Sequence, residues 1–104
     1  MAKNILVVED DRLIRTELVT ELEAAGFTVV SAEDGEAGLA AYLAAKPDAA
    51  IFDIMLPKKS GLEMFEEIHA KNPADDTPVY FLTGTNDMEY ISRAVEQAAA
   101  GYLN

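Results

Sequence analysis

Three short apolar runs in this sequence each end on residues able to do chemistry. Ile5-Leu6-Val7-Val8 is followed by Glu9, Asp10 and Asp11, Ala49-Ala50-Ile51-Phe52 by Asp53, and Val79-Tyr80-Phe81-Leu82 by Thr83. If the runs are parallel strands, their carboxyl ends share one edge, and several carboxylates and a hydroxyl meet there. Carboxylates gathered in one cleft repel each other, and at least one keeps its proton unless a counter-charge arrives. A hard divalent cation supplies that charge. Mg2+ suits a site made of a few carboxylates, a carbonyl and water, and such a site keeps open positions for phosphate oxygens. Each residue also has a plainer reading. Asp11 stands just before a helical stretch and reads first as its N-cap. Asp53 has no such role, because Ile54-Met55-Leu56-Pro57 follows and starts no helix. An Asp set against apolar strands needs a partner. Thr83 is an ordinary β-branched strand end that only its company makes notable.

The elements that must position these residues alternate along the chain. Continuous apolar runs such as residues 5–8 have the form of strands buried on both faces. A helix is expected from about Arg12 to Ala25, with Ile14, Leu18, Leu22 and Ala25 on one face and Gly26 ending it. A strand follows at Phe27-Thr28-Val29-Val30. Asp34-Gly35 opens a second helix that runs to Pro47, which cannot continue it. After the strand at 49–52, Pro57 to Gly61 is a turn-rich loop. Leu62, Phe65 and Ile68 mark a third helix, and a polar loop from Asn72 to Pro78 leads to the strand at 79–82. Ile91, Val95 and Ala98 mark a fourth helix, and Tyr102-Leu103 begins a fifth strand. Alternation of this kind predicts parallel βαβ units with helices on both faces of one sheet. In open sheets of that type, ligands bind beyond the strand carboxyl ends where strand order reverses.

Composition narrows the field. At 104 residues, one domain is expected, and with 50% hydrophobic residues it can build a core. No run approaches the ~18 apolar residues of a membrane span, and no secretory leader pattern opens the chain. The absence of cysteine excludes disulfides and thiolate metal sites. A net charge of −11 makes nucleic acid and anionic membranes poor partners. A cytoplasmic location is the expectation.

Four segments together resemble the receiver domain of two-component response regulators: ILVVEDD at 5–11, DIMLPKKSG at 53–61, FLTG at 81–84 and AGYL at 100–103. Each alone is weak, but they fall in order on the expected strand ends and span the whole chain. The resemblance implies an α/β, flavodoxin-like three-layer sandwich with parallel strand order 2-1-3-4-5. It implies Asp53 as phosphoacceptor, and Mg2+ held by Asp10, Asp53 and the Met55 carbonyl, with Glu9 acting through water. Thr83 would donate its hydroxyl to a phosphoryl oxygen, Tyr102 would turn inward with it, and Pro57 and Gly61 would shape the adjoining loop. The donor would be a histidine kinase or histidine phosphotransfer protein. The downstream target is not readable.

The sequence also departs from the family pattern. The resemblance implies a Lys-Pro pair after the last strand, with the Lys on the phosphoryl group, and then a fifth helix. The sequence stops at Asn104, one position before that Lys would fall. The chain is therefore expected to be a piece lacking its last helix, slow to accept phosphate, and prone to self-association through the uncovered sheet face or to easy unfolding. Lys58 and Lys59 read as a solvated loop pair and are not assigned the missing role. His69, the single histidine, reads as a surface residue, and Asp75-Asp76 as a polar loop. Ala100-Gly101 stand where transcription-controlling receivers often carry Asp-Asp, which leans toward a stand-alone receiver. Among rival functions, a Mg2+-dependent phosphatase needs an acid where Met55 stands. A flavin carrier needs a phosphate-cradling loop where Glu9-Asp10-Asp11 stands. A receiver-like binding scaffold that needs no phosphorylation is the alternative the missing Lys keeps open.

Overall fold

A computed structural model describes residues 3–54 and 56–82 of the chain. The elements run β1 (Asn4–Val8), α1 (Arg12–Ala24), β2 (Thr28–Ala32), α2 (Gly35–Ala45), β3 (Ala49–Asp53), α3 (Gly61–Lys71) and β4 (Val79–Leu82). The four strands form one parallel sheet in the order β2-β1-β3-β4. This is the expected flavodoxin-like arrangement over the described residues. The fourth helix and the fifth strand expected from the sequence lie outside them.

Alternation along the strands divides the core into two layers. Ile5 and Val7 of β1 and Ala49 and Ile51 of β3 face Leu18 and Leu22 of α1. Leu6, Val8, Ala50 and Phe52 face Tyr42 of α2 and Met64 and Ile68 of α3. Because both faces of β1 and β3 are covered, their sequences are continuous apolar runs rather than alternating ones. Burying a side chain of this size contributes roughly 1.5–3 kcal/mol before ordering entropy is counted. These two central strands therefore hold the sheet edge that carries the acids.

Most element ends follow from local chemistry. Asp11 caps α1, accepting from the N–H groups of Leu13 (2.9 Å) and Ile14 (3.2 Å). The plainer reading of Asp11 is the one the structure shows. At the other end of α1, the Gly26 N–H donates to Glu23 O (3.0 Å) and the Phe27 N–H to Leu22 O (3.1 Å). Those two bonds make a Schellman cap, and the Gly26 φ of 100° explains the glycine. The same cap corrects the expected start of the second strand. Phe27 belongs to the cap, so β2 begins at Thr28 and runs to Ala32. Ala25, expected on the buried face, is an exposed C-cap. Asp34 caps α2 through the Ala37 N–H (2.8 Å), and Ser60 and Glu63 form a reciprocal capping box at α3.

At three further places the structure adds partners that the sequence reading lacks. Lys58 is solvated as expected, its ammonium 3.7 Å from Asp34, whereas Lys59 is partly covered and pairs with Glu67 at 2.6 Å. His69 is half-buried, its ring nitrogens 2.9 Å from Phe65 O and 3.1 Å from Asp75 O. Asp75 accepts the Tyr42 hydroxyl at 2.7 Å and the Thr77 N–H at 2.9 Å. Lys58 and Lys59 thus join the β3–α3 loop to the start of α2 and to α3, while His69 and Asp75 tie the polar α3–β4 loop to α3 and α2.

Candidate functional site

Strand register brings the acids together. Val8 stands beside both Ala32 and Phe52, and Asp53 beside Leu82. One step beyond Val8 is therefore level with Asp53, and Glu9 emerges there. Ligand oxygens of Glu9, Asp10 and Asp53 all lie within 4.8 Å of one another. That spacing fits one small cation touched by up to three carboxylates. The donor set, all hard oxygen, suits Mg2+ and gives soft metals no sulfur or imidazole. The three residues also differ in burial: Glu9 is only 3% exposed, Asp53 is half-buried and Asp10 is open to solvent. The centre is thus reached from outside at Asp10 and walled by protein at Glu9.

Electrostatics mark the same place. Burial first, with Asp53 and Asp10 pushing the same way and the Asp11 N–H pulling against them, raises the Glu9 carboxyl from its usual 4.5 to about 7. Among the described residues, that N–H is the protein donor to its carboxylate, at 2.9 Å. A buried acid with one donor and two acidic neighbours is short of positive charge, and a divalent cation would supply it.

The turn that carries Glu9 and Asp10 is tied at many points. The Glu9 N–H donates to Ala32 O (3.0 Å), and the Arg15 N–H to Asp11 O (2.9 Å). The Arg15 guanidinium donates to Glu9 O at 2.7 Å and to Asp10 O at 3.4 Å. Arg15 is absent from the sequence reading, although the sequence carried a signal for it. Arg12 and Arg15 put cations in the opening turns of a helix whose first turn has no acid, which opposes the helix dipole and asks for a compensating contact.

The loop after Asp53 is seated close by. The Gly61 N–H donates to Ile54 O (3.2 Å), and a side chain at Gly61 would place its Cβ 2.5 Å from Asp53 O. Pro57 offers its carbonyl to Lys59 N–H (2.7 Å) and Gly35 N–H (3.3 Å), resting the loop on the start of α2. Pro57 and Gly61 thus lie where loop-shaping residues would. Lys59, paired with Glu67, and Lys58, beside Asp34, are both engaged away from the acids. Met55, Thr83 and Tyr102 fall outside the described residues. A cavity of about 280 Å³ lies elsewhere, at the opposite sheet edge between Tyr42, Lys46, Ile68 and Asp75.

Comparison with known proteins converges on one family. Residues 5–104 match the response regulator receiver domain. Over 99 residues, 95% of this chain, the sequence is 37% identical to a cyclic di-GMP phosphodiesterase of Thermotoga maritima, covering 26% of that protein. Over 103 residues, 99% of the chain, it is 34% identical to the response regulator MprA of Mycobacterium ulcerans, covering 44% of it. The chain therefore spans less than half the length of these curated relatives. Among solved structures, the response regulator TrrA of Thermotoga maritima, in complex with Mg2+-BeF, superposes with a TM-score of 0.77 at 27% identity, covering 92% of this chain and 98% of that one.

Proposed function

The chain belongs to the response regulator receiver domain family, and from that premise we propose that Asp53 accepts a phosphoryl group in a two-component relay, with Mg2+ at the acid centre. The observation that carries the reading is the meeting of Glu9, Asp10 and Asp53 within 4.8 Å at the strand carboxyl edge. Asp10 and Asp53 would hold the ion directly, joined by the Met55 carbonyl, and Glu9 through water. When bound, Mg2+ neutralises charge on the phosphoryl oxygens.

The chain's own residues supply position and donors. Phosphoryl transfer passes through a loose transition state in which alignment and charge stabilisation carry most of the catalysis. An Asp53 carboxylate oxygen attacks phosphorus in line. The bond from phosphorus to the donor's imidazole nitrogen breaks, and that nitrogen leaves with the electron pair. Thr83 would donate its hydroxyl to the new phosphoryl group, and Tyr102 would follow Thr83 inward. The product, an aspartyl phosphate, adds negative charge at the edge and biases two forms of the outer face. The domain would act as a switch rather than a turnover enzyme. The phosphodiesterase name belongs to a relative of which this chain spans 26%. The donor would be a histidine kinase or histidine phosphotransfer protein. A cytoplasmic setting is part of the proposal, and among the described residues no helix is long and apolar enough to cross a membrane.

Labelling with acetyl phosphate tests the reading. Phosphorylation is expected with Mg2+ and not in EDTA. Asp10→Asn should slow it by at least about tenfold, as the loss of a preorganised electrostatic contact does. Asp11→Asn should stay near wild type, because Asn caps a helix about as well as Asp. Labelling that ignores EDTA, or equal losses in the two variants, would contradict the proposal.

A further inference from the structure

We propose that Arg15 is a positioning residue for the acid centre: by gripping the Glu9 and Asp10 carbonyls, it aims both carboxylates into the cleft while leaving their charge for a divalent cation. The inference rests on the reading of Glu9, Asp10 and Asp53 as a metal site. It says what keeps that site both rigid and acidic.

The first ground is the geometry of one peptide. Glu9 and Asp10 are consecutive, so the peptide joining them sets the relative direction of their side chains. The guanidinium reaches the carbonyls on both sides of Asp10 N, at 2.7 Å and 3.4 Å. Glu9 is then held at its N–H by Ala32 O, at its carbonyl by Arg15, and at its carboxylate by the Asp11 N–H. Asp11 in turn is fixed by the start of α1, through its side chain to Leu13 and Ile14 and through its carbonyl to the Arg15 N–H. The ring of contacts closes on Arg15. Without the guanidinium, the carbonyl of buried Glu9 loses a charged donor that a buried carbonyl needs.

The second ground is where the charge goes. Lys58 pairs with Asp34 and Lys59 with Glu67, away from the acid centre. Arg15, whose guanidinium lies against the turn that carries Glu9 and Asp10, gives its donors to neutral carbonyl oxygens instead. A guanidinium paired with Glu9, Asp10 or Asp53 would neutralise the cluster and compete with a metal. Bonded to the backbone, it orders the acids without cancelling them.

These two grounds make the test one of sign. If Arg15 were only a nearby positive charge, Arg15→Met would remove repulsion and tighten Mg2+ binding. As a positioning residue, its loss weakens binding. Mg2+ and Ca2+ titrations of the chain, followed by backbone amide NMR, read both affinities in wild type, Arg15→Met, Arg15→Lys and Asp10→Asn. Arg15→Met is expected to lower Mg2+ affinity by about tenfold, the scale of lost outer-shell partners. Ca2+ affinity should fall less, because Ca2+ accepts looser geometry while Mg2+ demands near-octahedral ligands. The preference for Mg2+ therefore drops. Arg15→Lys keeps the charge but not the planar fork and should fall between. It decides the question alone if the Met variant fails to fold, a wild-type preference then overturning the proposal. Unchanged or tighter Mg2+ binding in Arg15→Met overturns it, as do equal losses of Mg2+ and Ca2+, which mean a general loosening. Asp10→Asn separates the two levels. If it leaves Mg2+ binding intact, the metal reading falls and takes the role of Arg15 with it. If it weakens binding while Arg15→Met does not, the Arg15 proposal alone falls.

Discussion

Each edge of the sheet carries a well-placed carboxylate, and the protein treats the two in opposite ways. At the strand amino ends, burial works to raise Asp75, but the Thr77 N–H and the Tyr42 hydroxyl outweigh it and hold its carboxyl below the usual 3.8. At the carboxyl ends, burial dominates at Glu9, and its acidic neighbours push the same way, to about 7. Asp75 has its donors inside the protein. Glu9 has one protein donor among the described residues and two acids for company. A structural carboxylate is closed by the fold, whereas a functional one is left needing a charge from outside. This contrast, more than the count of acids, supports the proposal that the carboxyl edge is the working one.

The largest break in the contrast is a pH effect at Glu9. Its folded pKa lies above its ordinary value of 4.5. The stabilisation it contributes is therefore fully present below about pH 4.5 and is lost as pH rises through about 7. At about 1.4 kcal/mol per pKa unit, the loss reaches up to roughly 3 kcal/mol. Melting the metal-free protein across this window should show wild type losing stability relative to Glu9→Gln, with saturating Mg2+ removing the difference. Parallel profiles for the two proteins would mean that Glu9 is not the strained acid described here. Asp75 has the opposite sign: its pKa is depressed, so its contribution is present above about 3.8 and fades as pH falls through its lower folded value.

A smaller effect is expected at the closed edge. Tyr42 is buried, and burial raises its hydroxyl to about 12, so it stays protonated and donates to Asp75. Tyr42→Phe removes a hydrogen bond to a charged group and should cost about 2 kcal/mol of stability, seen as a lower denaturation midpoint. Mg2+ affinity should not change, because the variant touches only the other edge. A change in Mg2+ binding would show that the two edges are coupled through α2 and would weaken the contrast.

Much of this was legible in the sequence, for physical reasons. The apolar runs at 5–8, 49–52 and 79–82 are strands of a buried parallel sheet, where pattern is strongest. Once they are parallel, Glu9, Asp10 and Asp53 must share an edge, so the acid centre follows from chain order alone. What escaped depends on side chains that reach across the fold. Phe27 reads as strand because it is aromatic and precedes β-branched residues, yet the Schellman cap claims its N–H. His69 reads as surface and Asp75 as plain polar loop because the Tyr42 hydroxyl and the Asp75 carbonyl reach them only through the packing of α2, α3 and the following loop. Lys59 reads as solvated because its pairing with Glu67 joins the loop to the second turn of α3. Arg15 was half-legible: its place against the helix dipole showed in the sequence, but its carbonyl partners did not.

The most direct test of the central claim is to find the atom that takes the phosphoryl group. The chain is incubated with acetyl phosphate and Mg2+, the acyl phosphate is trapped by hydride reduction, and the modified residue is located by mass spectrometry. The account predicts modification at Asp53 and none in Asp53→Ala. Phosphate on His69 or Asp75 at the opposite edge, or label persisting in Asp53→Ala, would contradict it.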